Sequence, residues 1–128
     1  NRRWDNKVIA AVCFTDPEIV TVGISPAEAD AATIDFIEGQ FPFVANGRAM
    51  TLERDDGFIR VVARADDHAL IGIQAVGAGV AELSSAFVTA LEMGARLEDA
   101  ASIVQAHPTQ SEGFQEAAMK ALDQALHI

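Results

Sequence analysis

The sequence predicts an α+β fold, with helices packed on an antiparallel sheet of about five strands. Three observations predict it. Short β-rich runs follow one another, and two of them, residues 58–65 and 69–76, are joined by Asp66-Asp67-His68 as a hairpin. Most of the helical patterns are gathered in the second half of the chain. The strict strand–helix alternation of a parallel α/β sheet is missing.

Each element has a local reason. Residues 8–14 are a short apolar strand, ended at Thr15-Asp16-Pro17, where Asp bonds local backbone and Pro sets φ. Residues 19–22 are β-branched and form a second strand. Ser25-Pro26-Ala27-Glu28 opens a helix that runs to about Ala32, with Ser as N-cap, Pro at the first helical position and Glu at N3. Residues 33–41 alternate apolar and polar, as a half-buried strand does. Asn46-Gly47-Arg48 is a turn signal. After the hairpin, residues 80–93 form a helix apolar on most sides through Leu83, Phe87, Val88 and Leu91, and Gly94 stops it. Residues 97–104 form a shorter helix. In the last helix, Phe114, Ala117, Ala118, Ala121, Leu122 and Ala125 recur at helical spacing and mark its buried stripe.

Composition narrows the functional classes. The chain has 128 residues, half of them hydrophobic, which suits one domain over residues 1–128 with its own core. The 19 acidic against 9 basic side chains leave a net charge of −10, which disfavours nucleic acid, since phosphate binding needs clustered Lys and Arg. No apolar run approaches the roughly 20 residues that span a bilayer, so no membrane insertion is expected. One cysteine, Cys13, excludes an internal disulfide, a Cys-rich zinc site and a redox-active cysteine pair within these residues. Asn1 rather than methionine opens the chain, so we expect a non-native N-terminus in which no targeting signal can be read.

Four groups invite chemistry. Gly77-Ala78-Gly79 follows a strand and precedes a helix. The dinucleotide fingerprint, however, needs a third glycine where Glu82 stands, and a parallel strand to follow. We read it as a structural turn. Cys13 lies in an apolar strand and is expected to be a small buried hydrophobe. His68 is expected in a solvated hairpin turn and His127 in a frayed terminus; the three histidines share no metal-ligand spacing, and no metal site is expected. The fourth group is His107-Pro108-Thr109-Gln110-Ser111-Glu112, just before the last helix. It sets an imidazole and a carboxylate on either side of one turn, and proline is the residue at which a cis peptide is cheap. A carboxylate orients a histidine and stabilises its protonated form, which makes an acid–base pair. The helix N-terminus disfavours a nearby imidazolium, so the acid has a task there. Thr109-Gln110-Ser111-Glu112 also has the spacing of a capping box, in which Glu112 folds back on the N-cap amide. Spacing leaves the two roles of Glu112 open.

The His-Pro run resembles the active-site signature near the C-terminus of the flavin-dependent disulfide reductases, the pyridine nucleotide-disulfide oxidoreductase family. Other segments join it in the family's order. Phe14-Thr15-Asp16-Pro17-Glu18 with Val22-Gly23-Ile24 resembles the opening of the family's interface domain. Phe41-Pro42-Phe43 leading into Asn46-Gly47-Arg48-Ala49 is similar to its NGRA segment. Ile71-Gly72 with Val76-Gly77-Ala78-Gly79 and Ala81-Glu82-Leu83 is similar to its strand-to-helix stretch. Within the family, Ala106 to Glu112 with Glu116-Ala117-Ala118 downstream is most similar to the dihydrolipoamide dehydrogenase branch. Glutathione reductases tend to carry a second acid where this chain has Gly113, a residue that in a helix's first turn costs up to about 1 kcal/mol relative to Ala.

The resemblance implies a C-terminal dimerisation (interface) domain, an antiparallel sheet with helices, in an enzyme that oxidises dihydrolipoamide by NAD via FAD and a redox disulfide. It implies a homodimer, with the lipoyl domain's dihydrolipoamide as substrate. His107 would be the acid–base group acting across the interface, Glu112 its partner, and the His107–Pro108 bond cis, with both residues near the partner's flavin. It implies an address in the bacterial cytoplasm or the mitochondrial matrix. The FAD fingerprint, the redox cysteine pair and the NAD domain are absent from these residues. No cofactor is therefore expected on this stretch alone, and it is expected to be inactive by itself. The alternatives are the interface domain of another flavin disulfide reductase, glutathione reductase-like, and a stand-alone homodimerisation module.

Overall fold

The computed structural model describes residues 5–126. The notion of a frayed His127 therefore lies outside the described residues. Five strands form one antiparallel sheet: β1 (Ala11–Cys13), β2 (Glu18–Gly23), β3 (Phe36–Pro42), β4 (Phe58–Arg64) and β5 (Leu70–Gly77), in the order β1-β2-β5-β4-β3. The expected architecture holds, with its central pair the β4–β5 hairpin. Asp67 closes that hairpin's turn by accepting the Ala69 N–H at 3.0 Å.

The register explains the core. Val12 pairs with Val20, Val20 with Ala75, Ala75 with Ile59, and Ile59 with Phe41, one apolar row across all five strands. A second row runs Val22, Ile73, Val61, Gly39. Strand side chains alternate between faces, so both rows lie on one face, and their Val, Ile and Phe members from β2 to β3 are buried. Each such side chain contributes roughly 1.5–3 kcal/mol through burial.

Five α-helices are α1 (Pro26–Ala31), α2 (Gly47–Thr51), α3 (Ser84–Glu92), α4 (Leu97–Ser102) and α5 (Glu112–Ala121). The core is completed by Phe87 and Leu91 of α3, Leu97 and Ala100 of α4, and Ala117 and Ala118 of α5. α5 lies almost in backbone contact with β3. A Cβ built on Gly39 would stand 2.1 Å from the Ala117 carbonyl oxygen, so only glycine lets helix and strand approach this closely. On the helix side, a Cβ on Gly113 would meet Ile59 Cδ1 at 3.1 Å. The low helix propensity of Gly113 is offset by that close fit.

The structure corrects four readings. Asn46-Gly47-Arg48 is not a bare turn: Asn46 is the N-cap of α2 and accepts the Ala49 N–H at 2.9 Å. The expected helix over residues 80–93 divides into a 3-10 turn, Val80–Leu83, and α3, and Met93, just past α3, is exposed. The last helix ends at Ala121, with Asp123 at positive φ, so Ala125 lies beyond its stripe. Cys13 is exposed. β1 is an edge strand in which alternation turns Val12 toward the core and Ala11 and Cys13 away from it.

α1 begins with the expected capping box. Ser25 donates to Glu28 Oε2 from its backbone N–H at 2.7 Å and its hydroxyl at 2.8 Å. These bonds, the backbone one first, hold the Glu28 carboxyl below the usual carboxylate range. A depressed folded-state value means that the stabilisation is complete above the unfolded-state pKa and lost as pH falls through the folded one. Wild type should therefore be more stable than Glu28→Gln near neutrality, the two denaturant-unfolding curves converging in acid. Curves that stay parallel at every pH would deny the carboxylate this role. Gly39→Ala tests the α5 contact. Overpacking of this kind destabilises by about 1–3 kcal/mol, and a thermal midpoint lowered by several degrees is expected; an unchanged midpoint would mean that α5 has room to lift.

Candidate functional site

The His107 loop is built from its backbone outward. The His107–Pro108 peptide is cis, as is Asp16–Pro17, which no sequence signal distinguished from an ordinary turn. Thr109 spans the loop: its hydroxyl donates to the Ala106 carbonyl at 2.6 Å, and its N–H donates to Glu112 Oε2 at 2.8 Å. The other oxygen of the same carboxylate, Oε1, lies 2.9 Å from His107 Nδ1. Glu112 thus does both things that its spacing allowed. The box is half formed, because Thr109 turns its hydroxyl back to Ala106 and Ser111, the residue at the helix start, gives no side-chain cap.

With Glu112 ionised, its carboxylate only accepts, which gives Nδ1 the proton in the neutral imidazole and leaves Nε2 the lone pair. The imidazole is 76% exposed while the Glu112 side chain is only 22% exposed. The arrangement is an imidazole presented to solvent on a shielded carboxylate, a geometry that can take or give a proton at Nε2. A cleft of about 50 Å³ beside it is lined by Phe41, Ala45, Asn46, Gly47, Glu112 and Glu116. That holds a water or two, not an organic substrate.

Three more side chains surround the loop, and their part in it was not expected from sequence. Asn46, 2% exposed, donates from Nδ2 to the Thr109 carbonyl at 3.0 Å. Gln110 donates to the Ala78 carbonyl at 2.7 Å. Glu116 is buried and lines the same cleft one helical turn from Glu112. All three stand in segments the sequence already marked, Asn46 in the NGRA stretch, Gln110 in the His-Pro run and Glu116 just downstream of it, but their contacts, distant in sequence for Asn46 and Gln110, were not readable there.

The remaining candidates serve structure. His68 lies at the hairpin turn, as expected, still partly open to solvent, and its Nδ1 is bonded to Glu98 Oε1, joining the turn to α4. That bond is the main cause holding the Glu98 carboxyl below the usual range. His68 backbone groups are engaged as well, its carbonyl accepting the Leu97 N–H at 3.0 Å. Gly77 packs where a Cβ would strike the Phe43 ring at 2.7 Å, and Gly79 opens a 3-10 turn rather than an α-helix. These residues form no pyrophosphate cradle. Among the described residues, no three His, Cys, Asp or Glu side chains are grouped to hold a metal ion, and no helix is long and apolar enough to cross a membrane.

Fold and site together define a sheet-and-helix domain that presents an imidazole, bonded to a shielded carboxylate, outward beside a cleft too small for an organic substrate. Comparison with known proteins gives this class its family. Residues 9–118 match the pyridine nucleotide-disulphide oxidoreductase dimerisation domain, and the chain belongs to that family. It is 58% identical over 127 residues to a dihydrolipoyl dehydrogenase of Pseudomonas aeruginosa, covering 99% of this chain and 27% of the relative. It is 48% identical over 124 residues to dihydrolipoyl dehydrogenase 2 of Haloarcula marismortui, covering 97% and 26%. The crystal structure of LpdA from Mycobacterium tuberculosis superimposes with a TM-score of 0.81 at 28% identity, over 86% of this chain and 24% of that one. The chain therefore spans about a quarter of the length of these relatives.

The tautomer is directly testable. Long-range ¹H–¹⁵N spectra should show neutral His107 protonated at Nδ1, and Glu112→Ala should shift the neutral ring toward the Nε2–H form that free imidazole side chains favour. An Nε2–H ring in the wild type would contradict the assignment.

Proposed function

We propose that this chain is the interface domain of a dihydrolipoyl dehydrogenase-type flavoenzyme and that His107 and Glu112 form its acid–base pair. The observation that carries the reading is the exposed imidazole fixed through Nδ1 by a shielded carboxylate. A dihydrolipoamide thiol must lose its proton before its sulfur attacks a disulfide, because the thiolate is the nucleophile. Nε2 of His107 takes that proton, and Glu112 steadies the imidazolium so formed.

On this reading the flavin and nicotinamide belong to parts of the protein outside these residues, which the 3-10 turn and the close Phe43 packing at Gly77–Gly79 support. The enzyme is a homodimer in which His107 serves the partner subunit's site. Three features support this reading. The matched family is a dimerisation domain. The cleft beside His107 is far too small to hold a substrate alone. An apolar groove of about 370 Å³ between α3, α4 and Phe114 is flanked by exposed Met93 and Ile103.

In the full-length enzyme, His107→Gln should lower turnover roughly 10²–10⁴-fold while flavin remains bound. Normal steady-state rates in that variant would remove His107 from the mechanism. Glu112→Gln should cost less. A glutamine oxygen can accept from either Thr109 N–H or His107 Nδ1–H, but its amide group then faces the other donor. Turnover and fold stability measured on the same sample separate these two losses, and a variant matching wild type in both would leave Glu112 with neither role.

A further inference from the structure

We propose that Asn46 is a positioning residue for His107, acting through the Thr109 carbonyl. The inference rests on the reading of His107 as the acid–base group. Asn46 is 2% exposed, and both ends of its side-chain amide are used. Oδ1 accepts the Ala49 N–H at 2.9 Å, and Nδ2 donates to the Thr109 carbonyl at 3.0 Å. The amide orientation is not free to reverse, because a backbone N–H can only donate and a carbonyl only accept. Its backbone is fixed as well: the Asn46 N–H donates to Phe43 and its carbonyl accepts from Met50.

The bond reaches the loop at its most sensitive point. Thr109 is the residue whose N–H holds Glu112 Oε2, while Oε1 of the same carboxylate holds His107. One rigid sequence of contacts therefore runs from the start of α2 through the Thr109 peptide units to the Glu112 carboxylate and the imidazole. Gly47, next to Asn46, lies against the ring itself: a Cβ there would stand 3.7 Å from His107 Cε1. A water in the adjoining cleft could meet the Thr109 carbonyl, but it would not carry the fixed geometry that the Asn46 amide, held at both ends, imposes. Asparagine alone offers an acceptor and a donor at opposite corners of so short a side chain.

Two variants separate positioning from capping. Asn46→Ser and Asn46→Asp both keep a good N-cap acceptor for α2, since Ser, Asp and Asn cap about equally well. Neither presents a donor to Thr109: serine is too short, and the aspartate sets an oxygen against the carbonyl. The experiment uses the full-length flavoprotein, selectively labelled with ¹⁵N-histidine, the His107 signal being assigned by its loss in His107→Gln. In both variants the His107 Nδ1–H signal should broaden or vanish through faster exchange with water. With dihydrolipoamide, kcat should fall about ten- to a hundred-fold, and Asn46→Ser combined with His107→Gln should be no slower than His107→Gln alone.

An unchanged Nδ1–H signal in both variants overturns the proposal, whatever happens to the melting temperature. So does a kcat within about twofold of wild type per flavin-loaded enzyme. Additive losses in the double variant overturn it too, because Asn46 would then act by another route. If His107→Gln itself keeps full turnover, the acid–base reading fails instead, and the Nδ1–H signal alone decides whether Asn46 holds the ring.

Discussion

The contact on which the rest of this structure depends is the approach of α5 to β3. Helices ordinarily stand off a sheet by the length of their side chains. Here Gly39 on the strand and Gly113, Ala117 and Ala118 on the helix remove most of that length, and the backbones come almost together. Close packing of this kind leaves no slack, because a shift by the width of a methyl group is already a clash. The first residue of α5 is Glu112. Its carboxylate is consequently placed by the whole sheet rather than by a loop, and the cis His107–Pro108 turn is fastened to that carboxylate.

This placement explains why one residue carries two tasks without conflict. A capping glutamate and a histidine-orienting glutamate look like competing interpretations when each is imagined with the whole carboxylate. A carboxylate has two oxygens, and the geometry gives one to the Thr109 N–H and the other to His107 Nδ1. The cap holds the acid where the imidazole needs it. The contrast with His68 is instructive. His68 also meets a glutamate, but it is half-buried, in a turn whose carbonyl is spent on α4. There the same residue pair joins two elements of the fold.

Much of this was legible because the relevant forces are local. The hairpin was readable from two β-branched runs around Asp66-Asp67-His68, and the α1 cap from Ser25 and Glu28 at the capping-box spacing. The His107–Glu112 pair was visible as a spacing, although which role Glu112 played was not. What failed to show depends on tertiary partners. An Asn-Gly pair has the chemistry of a turn and of an N-cap alike, and its bond to the Thr109 carbonyl, 63 residues away, cannot be read from its own neighbours. Cys13 looked buried because its neighbours are apolar; which face of a strand meets the core, and whether that strand lies at an edge, is not written in its own residues. The break between the 3-10 turn and α3 has the same cause, since Gly79 at φ +77 starts the chain in a direction fixed by β5.

The exposure of His107 bears on how such a site could work. In water, an imidazole and a carboxylate attract weakly, and bulk solvent competes for the proton at every step. Acid–base catalysis gains when that solvent is displaced, because the same pair then interacts in a medium of lower dielectric and the proton has fewer destinations. This domain supplies the rigid half of such an arrangement: an oriented ring, a shielded anchor, and a cleft with room for little more than water. Among the described residues nothing covers the ring, and in the proposed homodimer a partner subunit would bring the enclosing surface together with the substrate's site. On that reading the openness of His107 is the condition for sharing it: a ring buried in its own domain could not reach a thiol held by another.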